Sequence, residues 1–376
     1  MPPLVIDIRH AEDSRDVVHR AVQALHEGQL VVFPTETVYA LAASAVHEGA
    51  VRRLLQVKRR LPGRPPLTLA TKSADEALDY IPRMSPLALR LARRCWPGPV
   101  TLVCPDNHPA SLLRRLPPLT RQALVPAGRL GVRVPFHATI LDTLRMLPAP
   151  IVITSANRTG ESAALVAGDA VKAFGEEVQL ILDDGRSRFG QCSTVVEATD
   201  RLQILRPGVV SEQTLKRLSA MMILFVCTGN TCRSPMAEGI CRKMVAERLG
   251  TTPEELHDRG VLIMSAGIAA GLGGTASPEA VEVLRPDGID LTPHESQPVT
   301  EQLIRHADYI WTMTRSHRQA IVEQWPEAAN RAAVLSLDAR DIADPIGGPV
   351  EYYRRCADQI RQELGRRLEE ISWPQL

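Results

Sequence analysis

The sequence lacks an excess of charge of either sign. Lys and Arg total 44 against 43 for Asp and Glu, so 376 residues carry a formal net charge of only +1. A general nucleic-acid binder depends on a strongly basic field, and the balance excludes that class. Any role that involves RNA is therefore indirect or confined to a local cluster of charge.

Paired cysteines are also missing. No two cysteines form a CxxC pair, and their irregular spacing does not match a secreted disulfide framework. The seven cysteines occupy positions 95, 104, 192, 227, 232, 241 and 356. We expect reduced thiols in the cytosol.

Long apolar runs are absent as well. No uninterrupted stretch approaches the roughly 20 residues of a membrane span, and the N-terminal MPPLVIDIRHAEDS contains acidic residues and no long apolar core. The sequence has no Walker A loop, no GxGxxG loop and no metal-ligand spacing. We expect a soluble, cytoplasmic protein with no membrane partner and no protein-bound metal.

The sequence does contain a repeated alternation of β-branched and amphipathic segments, and its length and 44% of hydrophobic residues favour two domains. We expect loops at 59–66 and 105–130, which are rich in Pro or Arg. The predicted strands of the first half are LVVFPT, VTLVC, GVRVP, IVITSA, LILDDG and STVVEA, and its predicted helices lie near 16–27, 49–60, 85–95 and 138–147. The pattern predicts an α/β fold.

A second α/β domain is predicted to begin near Met221. The segment EQTLKRLSA has the character of one short helix, after which MMILFVC opens a strand. The strand-like IMSAG, YIWTMT and AAVLSL then alternate with helices, which indicates a doubly wound parallel sheet. We expect a first domain at 1–212, a linker at 213–221 and a second domain at 222–376.

The stretch VCTGNTCRSP at 226–235 has the features of an anion-binding loop. A strand, a tight turn and a helix N-terminus bring several N–H groups and the helix dipole onto one anion. Arg233 adds a planar fork that matches two phosphate oxygens, and Ser234 can hydrogen-bond a thiolate. The positive potential favours the thiolate form of Cys227, and Gly229 and Asn230 suit positive φ angles. A bare C-x₅-R match is equally consistent with a buried structural cysteine.

The context of this loop resembles the low-molecular-weight protein tyrosine phosphatases. VCTGNTCRSPMAEG is followed by SAG at 265–267, LTPHESQPVT at 291–300, ADYIWTMT at 307–314 and DP at 344–345. The resemblance implies that Cys227 is the nucleophile, Arg233 the phosphate clamp and Asp344 the general acid, and that no metal is required. It implies a phosphate loop of Thr228, Gly229, Asn230, Thr231, Cys232 and Ser234.

The sequence leaves two candidate substrates for the second domain, which differ in the phosphorylated residue of the protein. Thr231 stands where tyrosine phosphatases of the family have a bulky aliphatic residue, and CTGNTCRSP looks like the bacterial branch that acts on protein phosphoarginine. The sequence that begins at Asp344 is DPIGG, whereas both branches of the family tend to have an aromatic residue shortly after this aspartate. We expect phosphoarginine, with phosphotyrosine as the alternative.

Polar residues at strand ends mark the first domain as a ligand binder. FPTETVYALA aligns Thr35, Glu36 and Thr37 toward a small polar ligand, and the basic residues near Lys58 form a cluster of the kind that binds polyphosphate. TSAN at 154–157 and STV at 193–195 add hydroxyl and amide donors. A solvated helix end explains the basic cluster equally well.

The order of these motifs is similar to that of the YrdC-like threonylcarbamoyl-AMP synthases. FPTETVY, KRR, WPGPVTLV, GVRVPFH, VITSANRTGES, LDDG, CSTVVE and ILRPG cover about residues 5–212. The resemblance implies a twisted mixed sheet and synthesis of threonylcarbamoyl-AMP from ATP, L-threonine and bicarbonate with Mg²⁺, so that tRNA is reached only indirectly, through other enzymes. It implies ATP contacts from Lys58, Arg60, Ser155, Asn157, Ser193 and Arg206, and threonine contacts from Thr35, Thr37 and Arg133.

Three residues depart from the synthase pattern. The usual VYGLG is VYALA, so Ala40 and Ala42 place methyl groups where glycines allow close approach, and Leu61 replaces a proline. Two interpretations follow. The first domain is either a synthase with an altered pocket or a non-catalytic nucleotide- or RNA-binding module that regulates the phosphatase.

Overall fold

The computed structural model describes residues 2–58, 66–371 and 373. The chain divides into two compact units, Met1–Leu218 and Ser219–Leu376. In the described parts of the chain, no helix combines the length and the apolarity needed to cross a bilayer.

The first unit is built on one mixed sheet. Its described strands are β1 (Leu4–Asp7), β2 (Val31–Phe33), β3 (Ala40–Ser44), β4 (Thr68–Ala70), β5 (Val100–Pro105), β6 (Arg129–Arg133), β7 (Ile151–Ser155), β8 (Leu180–Asp183), β9 (Thr194–Ala198) and β10 (Leu202–Arg206). They lie in the order β1-β8-β2-β3-β7-β4-β6-β5-β9-β10. The sheet contains parallel pairs, such as β4 with β6, and antiparallel pairs, such as β3 with β7, which confirms the mixed sheet predicted for this half.

Helices cover both faces of this sheet. The described ones are α1 (Ser14–His26), α2 (Glu48–Val57), α3 (Ala74–Tyr80), α4 (Pro86–Cys95), α5 (Pro118–Leu124), α6 (Ala138–Met146), α7 (Ala167–Phe174) and α8 (Glu212–Ser219). Strand β3 shows why two cores are needed, because its successive side chains point to opposite faces. Leu41 and Ala43 pack into one apolar cluster, and Ala40 and Ala42 pack into the other.

Helix α5 lies in the segment 105–130 that we expected to be a loop. The prolines that suggested a loop stand at its beginning, with Pro118 in the first turn. A proline is tolerated there because the first N–H groups of a helix have no intrahelical acceptor. Thr120 and Leu124 of this helix are fully buried, so packing holds the segment in place.

The second unit is a four-stranded parallel sheet within the described residues. Its strands are β11 (Met221–Cys227), β12 (Val261–Gly267), β13 (Tyr309–Thr312) and β14 (Ala332–Val334), in the order β12-β11-β13-β14. Its helices are α9 (Arg233–Leu249), α10 (Pro278–Leu284), α11 (Glu301–His306), α12 (Arg315–Gln324) and α13 (Val350–Glu369). All three strand pairs are parallel, which confirms the doubly wound sheet.

Strand β11 lies inside this sheet and is buried along its whole length. Ile223 and Phe225 pack into a cluster that includes residues of α9 and α13, whereas Leu224 and Val226 pack into a cluster with residues of α11 and α12. Burial on both faces accounts for the unbroken apolar run MMILFV. The run ends at Cys227, which places the predicted anion loop at the carboxyl end of a parallel strand, where open α/β sheets bind their ligands.

Candidate active sites

The loop between β11 and α9 wraps around the sulfur of Cys227. The Asn230 N–H donates to Cys227 Sγ at 3.2 Å, and Ser234 Oγ lies 2.9 Å from the same sulfur. Asn230 has a φ of 55°, as predicted, in the left-handed region that a short polar side chain tolerates. The prediction of a positive φ for Gly229 is wrong, and a Cβ there would meet Thr231 Oγ1 at an ordinary 3.6 Å.

The side chain of Asn230 fixes the directions of the hydrogen bonds in the loop. Its Oδ1 accepts the Gln297 N–H at 2.9 Å, and a backbone N–H can only donate, so Nδ2 faces the other way. Nδ2 donates to Ser234 Oγ at 3.0 Å and to Ser265 Oγ at 2.9 Å. A Cys227 thiolate can only accept, so the single hydrogen of Ser234, whose oxygen already accepts from the amide, is then donated to Cys227 Sγ. A hydrogen bond of this kind stabilises a thiolate.

Arg233 and Asp344 meet beside this loop. Arg233 is 5% exposed and donates from Nη2 to Asp344 Oδ2 at 2.5 Å and from Nη1 to the Ile342 carbonyl at 3.4 Å. The Asp344 side chain is 44% exposed, so the carboxylate lies where the buried loop opens to solvent. The structure thus brings together the three side chains for which the resemblance implied catalytic roles.

The other loop residues contact the surrounding helices and strands. Cys232 Sγ lies 3.6 Å from the Tyr353 hydroxyl of α13, and Thr231 Oγ1 lies 3.6 Å from Cys232 Sγ. Burial and the nearby Cys232 thiol raise the pKa of Tyr353 to about 12, so the phenol is protonated at neutral pH. Gly267 ends the neighbouring strand β12, and a Cβ there would lie only 2.4 Å from the Thr228 carbonyl oxygen.

Several residues that support the loop were not predicted from the sequence. Ser265 and Gln297 bond the Asn230 side chain, and His294 Nε2 lies 2.7 Å from the Asn230 carbonyl oxygen. His317 Nε2 lies 2.9 Å from Thr228 Oγ1. Ser265, His294 and Gln297 belong to the segments SAG and LTPHESQPVT, which served only to recognise the family, and His317 lies three residues after ADYIWTMT.

His317 is a neutral imidazole in this site. Its ring is 4% exposed, and its Nδ1 lies 2.9 Å from Thr314 Oγ1 at the beginning of α12. Burial, assisted by the positive charge of Arg233, lowers the pKa of His317 from 6.5 to about 4, although the carboxylates of Asp344 and Asp341 act in the opposite direction. The residue therefore supports Thr228 without adding a charge at neutral pH.

The lowered pKa of His317 predicts a loss of stability in acid. Below pH 6.5 the unfolded chain takes up a proton at this residue, and the folded chain does so only near pH 4. Stability present above pH 6.5 is therefore lost as the pH falls toward 4, by about 3 kcal/mol. We expect His317→Gln to reduce this pH dependence in thermal unfolding of the second unit. The exposed His257→Gln is the control, and an equal pH slope in His317→Gln and the parent protein would contradict the assignment.

The first unit contains a cavity of about 240 Å³. It is lined by most of the residues for which the resemblance implied contacts with ATP or threonine. The predicted residues that line it are Thr35, Thr37, Lys58, Arg133, Ser155, Asn157, Ser193 and Arg206. Arg60 and Leu61 lie outside the described residues. Thr101, which the sequence analysis did not assign, also lines the cavity.

Lys58 is held over the turn that follows β7. Its Nζ donates to the Ser155 carbonyl at 2.8 Å, to Asn157 Oδ1 at 3.1 Å and to the Asn157 carbonyl. Ser155 Oγ donates to Asn157 Oδ1 at 2.5 Å. Lys58 is 5% exposed, so its positive charge acts in a poorly solvated site, where it attracts an anion more strongly than in water.

The other polar groups of the cavity come from strand ends. Arg206 donates from Nη2 to the Ser193 carbonyl at 2.9 Å and to Ser193 Oγ at 3.1 Å, and Ser193 Oγ lies 3.0 Å from Thr101 Oγ1. Arg133 donates to Thr37 Oγ1 at 3.1 Å, and Thr35 Oγ1 lies 2.9 Å from the same hydroxyl. The cavity thus combines cations with hydroxyl groups.

Two details differ from the sequence-based interpretation. Glu36 was expected to face the ligand, but it is 4% exposed and accepts from Arg133 Nη2 at 2.7 Å and from the Phe136 N–H at 3.1 Å. It therefore balances the charge of Arg133 and orients its guanidinium. Ala40 lines the cavity beside Ser155, whereas Ala42 packs in the core, so only one of the two extra methyl groups borders the site.

These folds and sites define two α/β units on one chain, one with a cavity lined by cations and hydroxyl groups and one with a loop that surrounds a cysteine sulfur. Residues 23–208 match the Sua5, YciO and YrdC family model, described as telomere recombination. Residues 222–373 match the low molecular weight phosphotyrosine protein phosphatase model. The chain belongs to both families.

Individual relatives support each half. A protein-arginine-phosphatase of Bacillus subtilis is 40% identical over 152 residues, which are 39% of this chain and 94% of that protein. A threonylcarbamoyl-AMP synthase of Chromohalobacter salexigens is 33% identical over 184 residues, which are 49% of this chain and 94% of that protein. Two longer synthases are matched over only 54% and 55% of their length.

A solved structure shares the fold of the first half. The crystal structure of Pyrococcus abyssi Sua5 complexed with L-threonine superposes with a TM-score of 0.51 at 24% identity, and the match covers 70% of this chain and 92% of that one.

Proposed function

We propose that the chain is a bifunctional cytoplasmic enzyme. The second unit removes phosphate from phosphoarginine in proteins, and the first unit forms threonylcarbamoyl-AMP for tRNA modification. The observation that carries the phosphatase proposal is the convergence of Cys227, Arg233 and Asp344 on one loop. The cation-lined cavity around Lys58 carries the synthase proposal.

The phosphatase reaction follows from the loop geometry. Cys227 Sγ attacks phosphorus, the bond from phosphorus to the leaving nitrogen or oxygen breaks, and Asp344 donates a proton to the leaving group. Arg233 and the N–H groups at the beginning of α9 hold the phosphoryl oxygens. Asp344 then takes a proton from water as the water attacks the phosphocysteine, which releases phosphate and regenerates the thiolate.

Exposed apolar side chains support a protein substrate for this site. Within the described part of the second unit, the large apolar residues that are strongly exposed are Ile268, Leu272, Ile346 and Tyr352, at 41%, 84%, 69% and 54%. Two of them follow β12 beside the loop, where the Ile268 N–H donates to the Cys227 carbonyl. The other two follow Asp344, where the Ile346 N–H donates to Asp344 Oδ1. Exposed apolar residues around a polar site are typical of a surface that binds a polypeptide.

Thr231 supports phosphoarginine over phosphotyrosine as the substrate. Its side chain is half-buried in the loop and carries a hydroxyl that can accept a guanidinium N–H. The relative from Bacillus subtilis is a protein-arginine-phosphatase. Phosphotyrosine is the second candidate, because Tyr352 supplies an exposed ring at the rim.

Replacement of Thr231 by Ile tests this preference. Thr231→Ile removes the acceptor for the guanidinium and adds apolar surface, so we expect the ratio of kcat/KM for phosphoarginine to that for phosphotyrosine to fall by roughly tenfold. The ratio is measured on two peptides that differ only in the phosphorylated residue. Thr292→Ile, an exposed threonine outside the loop, is the control. An unchanged ratio in Thr231→Ile would remove the basis for this specificity.

The charges of the first cavity suit the proposed synthase substrates. Lys58 and Arg206 present two cations to a cavity that would receive the triphosphate of ATP and the carboxylate of threonine, and Arg133, whose charge Glu36 balances, lines the same cavity. The described lining includes hydroxyl groups and no carboxylate, so the residues fit a Mg²⁺ ion that is held mainly by the phosphates of ATP. Such an ion would neutralise phosphate charge.

In the proposed reaction, the amino nitrogen of threonine bonds to the carbon of bicarbonate, a C–O bond of bicarbonate breaks with loss of water, and a carbamate forms. A carbamate oxygen attacks the α-phosphorus of ATP, and the bond to the pyrophosphate oxygen breaks. Lys58 and Arg206 would offset the negative charge that develops on the phosphates. A non-catalytic nucleotide-binding module is the alternative, favoured by Ala40, whose methyl group borders the cavity.

An assay of the full-length chain decides between enzyme and module. We expect pyrophosphate and the acyl adenylate to appear together, and only when ATP, Mg²⁺, L-threonine and bicarbonate are all present. Lys58→Met should lower this rate by at least tenfold, because a buried cation is lost from the phosphate site, while the phosphatase rate stays unchanged. ATP binding without pyrophosphate release would favour the module.

A further inference from the structure

Glu238 is a partly buried acid close to the phosphatase loop for which the mechanism above has no role. It lies on α9, five residues after Arg233, and its Oε2 accepts a hydrogen bond from Ser265 Oγ at 2.7 Å. Its side chain is 21% exposed and borders a groove of about 800 Å³ between α9 and the segment 287–297. The groove is separate from the mouth formed by Asp344 and the exposed apolar residues.

A continuous set of hydrogen bonds leads from Glu238 to the nucleophile. Ser265 has one hydroxyl hydrogen, which it donates to Glu238, so its oxygen is the acceptor for Asn230 Nδ2 at 2.9 Å. The second Nδ2 hydrogen goes to Ser234 Oγ, which lies 2.9 Å from Cys227 Sγ. Three side chains therefore separate the carboxyl group from the sulfur.

We propose that Glu238 is a positioning residue for the phosphatase nucleophile. By accepting the Ser265 hydroxyl, it holds the Asn230 amide in place, and the amide in turn directs the Ser234 hydroxyl toward Cys227. The proposal rests on the proposed role of Cys227 as the nucleophile.

The surroundings of Glu238 agree with a specific hydrogen-bonding role. Burial raises the pKa of Glu238, so the fold keeps an acid where it is costly to ionise. The charged and titratable groups that face it are Arg242 of α9, at 3.9 Å, and His294 of the opposing segment. His294 also contacts the Asn230 carbonyl, so the groove wall holds Asn230 at both its side chain and its backbone.

Charge and hydrogen bonding make opposite predictions for removal of Glu238. Loss of a nearby negative charge by itself favours the thiolate of Cys227, because like charges repel. Loss of the hydrogen bonds that orient Ser234 disfavours the thiolate. The sign of the change therefore separates a positioning role from a simple electrostatic one.

The test is the rate of Cys227 alkylation by iodoacetamide against pH in the full-length chain, followed by mass spectrometry of the peptide that contains Cys227. We expect Glu238→Leu to raise the pH at which the alkylation rate is half-maximal by about one unit. At any given pH below this midpoint, the thiolate fraction is then about tenfold lower. Glu238→Gln keeps an acceptor oxygen for Ser265 and should restore the midpoint. Glu247→Leu, on the same helix and groove, should leave the midpoint unchanged. An unchanged or lower midpoint in Glu238→Leu would overturn the proposal.

A second variant tests the route. Ser265→Ala should raise the midpoint by itself, and Glu238→Leu should add nothing in the Ser265→Ala background. Additive shifts would overturn the route through Ser265. If Glu238→Leu does not fold, an unshifted midpoint in Ser265→Ala still refutes the proposal and a raised one supports it. Alkylation requires no substrate, so the result is independent of whether phosphoarginine is turned over.

Discussion

The Gln297 N–H donates to the side-chain oxygen of Asn230, and the phosphatase site depends on this bond. It turns the amide nitrogen toward Ser234 and Ser265, which leaves the Ser234 hydrogen for Cys227. The same residue adopts a positive φ and donates its own N–H to the sulfur. One asparagine therefore shapes the loop, contacts the nucleophile and connects it to the segment after β12.

The parallel sheet explains why this arrangement is possible. Strand β11 is buried on both faces, so its end is fixed by packing in two apolar clusters. The neighbouring strand β12 ends at Gly267, where the absence of a side chain lets the Thr228 carbonyl approach. The first unit uses strand ends in the same way, because Ser155 and Arg206 are the last residues of β7 and β10. In both units, the polar residues of the site lie at the ends of strands that are held in the sheet.

The sequence predicted the parts of the sites that are contiguous. Cys227, Arg233 and Ser234 lie within eight residues, and local physics is enough to place their side chains around one anion. Asp344 was assigned only by resemblance, because its contact with Arg233 spans 111 residues. Glu238 and Gln297 were not assigned, since their roles depend on which segments the sheet brings together. The expected positive φ at Gly229 was also wrong, since only Asn230 of the two residues adopts one.

The central claim is that Cys227 carries the phosphoryl group during turnover. The most direct measurement is mass spectrometry of acid-quenched Asp344→Asn protein after brief exposure to an aryl phosphate whose phenolate can leave without a proton, so that loss of the acid slows only the hydrolysis step. This variant lacks the carboxylate that would activate water, so we expect a phosphoryl group to accumulate on Cys227. Cys227→Ala should form no adduct and release no phosphate. Phosphate release by Cys227→Ala, or a phosphoryl group on another residue, would contradict the account.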